Sequence, residues 1–178
     1  MKYLFTLLSL SFLLSSCGTN SVDLAIDNPT TEPVIIKVDT LEVEIPAEQV
    51  VWVEMGKGMH SLTLKNDSIV DFNFQSDVYM VNPTLTEYLM TGEYYGDNNS
   101  YEIYQLTNKR TVEFLGIELE GDYAIVNGLI NPVTWDYGPR ESLPETVQME
   151  STAGYEVLQK LFSPIEFINL VSASREQE

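Results

Sequence analysis

From Val22 onward the chain alternates with a period of two, Val22, Leu24 and Ile26 standing against Asp23, Ala25 and Asp27. Successive side chains of a strand point to opposite faces, so the pattern predicts a strand with one face on a core. Asn28-Pro29-Thr30-Thr31 ends the run, because Pro29 has no N–H for a ladder and its neighbours favour turns. Residues 32–38 and 41–45 resume the alternation, the latter with Leu41, Val43 and Ile45 on one side and Glu42 and Glu44 on the other. Residues 50–55 lead into Gly56-Lys57-Gly58, which predicts a tight hairpin returning as 59–65. Asn66-Asp67 then turns the chain into 68–74. Six short strands within about fifty residues is the spacing of a small antiparallel sandwich or open barrel.

The second half continues in this style. Residues 86–95 and 100–106 flank Gly96-Asp97-Asn98-Asn99, which reads as a hairpin turn because Gly, Asp and Asn tolerate turn geometries. Residues 110–116 and 122–127 are further strand candidates. Residues 131–144 hold three prolines, yet Val133, Trp135 and Tyr137 alternate inside them, which predicts an ordered loop. Near the end the period changes. Tyr155, Leu158, Leu161 and Phe162 are spaced for one helical face. Ser163-Pro164-Ile165-Glu166 then matches a capping box with Pro in the first turn, Phe162 and Phe167 being placed to staple it, and predicts a second short helix to about residue 173. The fold class expected is mainly β: an antiparallel β-sandwich or open barrel with a short C-terminal helical segment.

At the other end, Lys2 precedes an apolar stretch over residues 3–14, interrupted only by Thr6, Ser9 and Ser11. It is too short to span a bilayer, which takes ~20 residues, and suits a signal-peptide core. Leu14-Ser15-Ser16-Cys17 follows and resembles the lipobox of bacterial lipoproteins: an aliphatic residue, two small ones and the chain's single cysteine. The resemblance implies a diacylglycerol on the Cys17 sulfur, cleavage before Cys17 and acylation of the new terminus, a modification of the palmitate type. It also implies the cell envelope, and, since Gly18 is not the aspartate that retains such proteins in the inner membrane of Gram-negative enterics, the outer membrane. The organisation expected is a signal peptide over 1–16, a lipidated tether over 17–21, a small β-sandwich-like module over 22–76, further strands over 77–150 in the same or a second β domain, and C-terminal helices and tail over 151–178.

Residues 33–64, with the segments V-I-I-K-V-D, I-P and W-V-E-M-G-K-G-M-H-S-L-T-L, resemble PEGA-type and related small surface sandwich modules. The resemblance implies a non-catalytic sandwich.

Charge narrows the partners. The formal net charge is −18, with 27 acidic against 9 basic residues. Nucleic acids and anionic headgroups need clustered Lys and Arg, so no nucleic-acid partner is expected. The acids are spread along the chain and read first as a solvated surface. His60 is the only histidine and shares a face with Leu62 and Leu64, which suits a histidine bonded to backbone at the core edge. One histidine and one cysteine do not make a transition-metal site, and phosphate-cradling glycine motifs are absent. No cofactor is expected. Asp97, Asn99 and Glu102 form a calcium candidate without EF-hand spacing, and the turn reads first as solvated. Tyr88, Tyr94, Tyr101, Trp135 and Tyr137 form an aromatic set that suits either cross-strand packing or a face for a sugar or peptide. The function expected is a lipid-anchored, non-catalytic binding or scaffolding module for an envelope protein or glycan. The alternatives are a small glycan hydrolase working through two acids, and a calcium-binding β module.

Overall fold

The structure is a computed structural model and describes residues 20–148 and 154–175. Numbered in chain order, its strands fall into four sheets. β1 (Ser21–Asn28) sits inside the first, antiparallel to β4 (Gln49–Gly56) along its whole length and parallel to β7 (Val78–Val81), which carries the short β12 (Ile130–Pro132) on its far side. The second sheet runs β3 (Leu41–Ile45), β2 (Val34–Val38), β5 (Gly58–Thr63), β6 (Ile69–Phe74), antiparallel throughout. Val22, Leu24 and Ile26 face Ile36, Ile45, Leu62 and Phe74 across a shared core. The chain is therefore mainly β and its N-terminal strands form a sandwich, as the period of two predicts.

A third sheet stacks outside this sandwich, in the order β11 (Tyr123–Val126), β8 (Tyr88–Gly96), β13 (Tyr155–Phe162). One of its faces sends Tyr88 and Leu161 onto Met80 of β7. The other sends Leu89 and Phe162 onto Phe114 and Phe167, which belong to the hairpin of β9 (Arg110–Phe114) and β10 (Ile117–Gly121) and to helix α2 (Pro164–Arg175). Helix α1 (Asn98–Asn108) connects β8 to β9. No described helix is long and apolar enough to cross a membrane.

Three local expectations are corrected. Gly56-Lys57-Gly58 is not a hairpin turn: β4 pairs with β1 whereas β5 pairs with β2 and β6, so these residues form the corner between the two sheets. A corner and a hairpin share the same signal, a glycine at positive φ, here Gly58 at 133°. Residues 100–106 are helical rather than extended, because Asp97 accepts a bond from the Ser100 N–H (2.8 Å) and caps a helix start. The strand expected over 110–116 is present as β9, and Leu115 (φ 53°) and Gly116 (φ 75°) form a two-residue turn of type I′ character that returns the chain as β10; a leucine there hides the usual Asn-Gly signal. Tyr155–Phe162 is a strand rather than a helix. Because both of its faces are covered, apolar residues occur on both, and the alternation that marks a one-sided strand is lost.

The capping box is present as read. The Ser163 N–H donates to Glu166 Oε2 (2.9 Å), the Glu166 N–H to Ser163 Oγ (3.4 Å), and Phe162 and Phe167 share one cluster. The sandwich also takes in β7 and β12 from beyond residue 76.

Candidate functional site

A concavity of about 940 Å³ lies where the far end of β8 meets α1 and the β10–β11 connection. Its wall is aromatic, with Tyr94, Tyr101, Tyr104 and Tyr123 lining it and Tyr155 packed behind Tyr94. Tyr94 on β8 stacks against Tyr155 on β13 with ring centres 5.3 Å apart, and α1 lays Tyr101 and Tyr104 beside it at 5.1 and 5.4 Å. A helix turns 3.6 residues at a time, so positions 101 and 104 share a face, and that face meets the sheet. Gly92 makes the approach possible. A Cβ there would lie 2.2 Å from both the Tyr104 hydroxyl and Asp122 Oδ2, so any other residue would displace that pair of side chains.

The polar atoms near this wall are mostly committed to each other. The Tyr104 hydroxyl donates to Asp122 Oδ2 (2.6 Å), and burial, then that bond, push its phenol well above the ordinary range. Thr91 Oγ1 donates to Glu93 Oε1 (2.7 Å), and Lys109 pairs with Glu120 (2.6 Å). Glu102 stands exposed on α1. Tyr101 is 41% exposed, which leaves ring surface for a ligand. The acidic lining favours neutral or cationic ligands over anionic ones.

The five aromatics read from the sequence do not make one face. Tyr94 and Tyr101 meet in the groove. Tyr88 is fully buried, its hydroxyl donating to Asp27 Oδ2 (2.5 Å). Trp135 packs with Met80, Tyr88 and Leu161. Tyr137 bridges β13, its C=O accepting the Leu161 N–H (2.9 Å). The sequence pattern does not single out Tyr104 and Tyr155, because it predicts a strand where α1 lies and a helix where β13 lies. The signals that do mark the helix are Asp97 as its cap and the i, i+3 spacing of Tyr101 and Tyr104.

Of the calcium candidates, Asp97 caps α1 through Oδ1, Glu102 lies on the exposed side of that helix, and the Asn99 side chain lies outside the described residues. Among the described residues no three His, Cys, Asp or Glu converge to hold a metal ion. Cys17 and the lipobox also lie outside the described residues.

His60 lies on β5 and is not among the residues that line the groove. Its Nε2 bonds the Gly56 C=O (2.8 Å), which agrees with the backbone-bonded reading, and Nδ1 meets Asp39 Oδ2 (2.7 Å). The bond to Asp39 raises the imidazole pKa above its ordinary value of 6.5. With Nε2 on a carbonyl, this pair has no hydroxyl to activate, so it is not the base of a triad.

A second polar cluster joins the layers. Asp27, 1% exposed on the outer side of β1, receives Tyr88 and an ion pair from Arg140. The Arg140 N–H donates to Glu166 Oε1 (2.5 Å), and Lys160 Nζ donates to the Gly138 C=O (2.5 Å) and to Glu166 Oε1 (3.3 Å). Burial lowers the Lys160 pKa and Glu166 opposes it. The cluster is a clamp between sandwich, loop and α2.

No protein family, curated protein or solved structure matches the chain.

Proposed function

We propose that the mature protein is held in the cell envelope, at the outer membrane, by lipid on Cys17, and that it is a non-catalytic module binding an envelope protein or glycan. The observation that carries the binding reading is the groove: Tyr94, Tyr101, Tyr104 and Tyr123 and an acidic rim line an open concavity in which the carboxylates are mostly tied to partners. Asp122 is bonded to Tyr104, Glu93 to Thr91 and Glu120 to Lys109. An acid–base pair needs a carboxyl free to take or give a proton to substrate, whereas a binding groove needs ring faces and fixed acceptors. Supporting the anchor are the apolar leader and the coincidence of lipobox and single cysteine.

The test is a turnover assay of the purified chain on pooled glycans, esters and peptides, run beside affinity measurements on immobilised envelope glycans and proteins. The reading expects saturable binding weakened by Tyr101→Ala and no steady turnover. Turnover abolished by Glu93→Gln or Glu102→Gln would overturn it in favour of the hydrolase.

A further inference from the structure

Sheet edges present unpaired N–H and C=O groups, and soluble proteins protect them with charge, proline, short length or a covering segment. This chain protects nearly all of its edges. β3 carries Glu42 and Glu44, β6 carries Asp71 and Asn73, and β12 is three residues long and ends in Pro132. β11 has only four residues, and the β9–β10 hairpin carries Arg110, Glu113, Glu118 and Glu120. β13 is covered by its neighbouring loop, the Asp136 and Tyr137 N–H groups both donating to the Gln159 C=O (2.8 and 3.1 Å). Among the described strands β4 is the exception. Its sequence QVVWVEMG is eight residues long, with no proline, no basic residue and one acid, Glu54.

The ladder phase shows which of its groups are open. The Lys57 N–H bonds the Asn20 C=O (3.0 Å) and the Asp23 N–H bonds the Asp77 C=O (2.8 Å), so residues 22, 24 and 26 of β1 direct their backbone to β4. Their partners Val51, Val53 and Met55 are used, and the N–H and C=O groups of Val50, Trp52 and Glu54 point away from β1. No described group bonds them. On the side of β4 away from the sandwich core, a crevice of about 180 Å³ lies between Val50 and Trp52 and the loop residues Val133 and Trp135. Trp52 is 57% exposed and Val50 37%.

We infer that β4 is a docking edge, which takes an extended, Lys- or Arg-bearing segment of a different protein as an added strand and seats one apolar side chain of it beside Trp52. Regularly spaced backbone groups select a peptide over a sugar or an ion, and the adjacent crevice selects its side chain. Charge selects the partner's kind: Glu54, Asp136 and Glu141 flank the site, and a net charge of −18 on each copy opposes pairing of two such edges. The inference goes beyond the groove reading, since groove and edge lie on different sheets and either stands without the other.

The experiment uses the full-length chain in detergent with a panel of synthetic peptides, each the length of β4 and alternating Val or Ile with Lys. Binding is followed by Trp fluorescence and by amide hydrogen exchange. The expected result is protection of the Val50, Trp52 and Glu54 amides by at least one peptide. N-methylation of that peptide's amides in one phase weakens binding roughly tenfold, and in the other phase leaves it unchanged, with the protein's fold untouched. Trp52→Ala, at an exposed position, also weakens it. The inference is overturned if no peptide protects those amides, if both N-methyl phases bind alike, or if the chain alone sediments as a dimer with β4 already protected.

Discussion

Replacing Arg140 by Met breaks the clamp at its most exposed end and tests how the layers are joined. Asp27 is 1% exposed, and its carboxylate has two partners, the Tyr88 hydroxyl and the Arg140 guanidinium. Losing one partner of a buried pair costs about 3 to 5 kcal/mol, because the remaining charge stays desolvated. The Arg140 side chain is 28% exposed, so water reaches the vacated position and the lower end applies, about 3 kcal/mol. For a domain of this size that is a fall in Tm of roughly 6 to 12 °C. The second arm is the double variant Asp27→Leu with Arg140→Met, which removes both charges and restores most of the stability, since an apolar pair of similar volume needs no solvation. Thermal and urea unfolding followed by circular dichroism measure both. An Arg140→Met chain melting within about 2 °C of the parent would refute the reasoning, because it would mean that Asp27 is solvated or held by Tyr88 alone.

Three other outcomes follow from the geometry. Gly92→Ala places a methyl on the Tyr104–Asp122 pair and is expected to cost about 1 to 3 kcal/mol in the same unfolding assay and to shift the tyrosine near-ultraviolet dichroism. Ser163→Ala removes the α2 cap at a cost of about 1 kcal/mol, seen as a lower urea midpoint with unchanged slope. Asp39→Asn should lower the His60 pKa toward 6.5, read from the imidazole protons by NMR. With His60 raised above 6.5 and Asp39 lowered below 3.8, the pair's stabilisation is greatest between those values. It is lost as pH rises through the folded histidine pKa, and as pH falls through the folded Asp39 pKa.

What the sequence discloses follows from how many faces each element buries. β1 to β6 have one side on the sandwich core, or, for β1, a small or charged residue on the second, and their alternation survives in the residues. Tyr155–Phe162 packs Leu161 on one layer and Phe162 on another, so its apolar positions fall at spacings that a helix also uses. The capping box of α2 is legible because all of its chemistry lies within four residues. The groove is not: it needs Tyr94, Tyr101, Tyr104 and Tyr123 together, and two of these, Tyr101 and Tyr104, sit on a helix that the local pattern reads as a strand. The clamp is less legible still, since nothing near Asp27 in the chain announces a partner 113 residues away.

The most direct test of the central claim, a lipid-anchored binding module, is the mass of the mature amino-terminal peptide isolated from envelopes. The account predicts that it begins at Cys17 and carries a diacylglyceryl thioether, with Cys17→Ala leaving residues 1–16 attached. An unmodified Cys17, or a mature chain starting at another residue in both proteins, would contradict it.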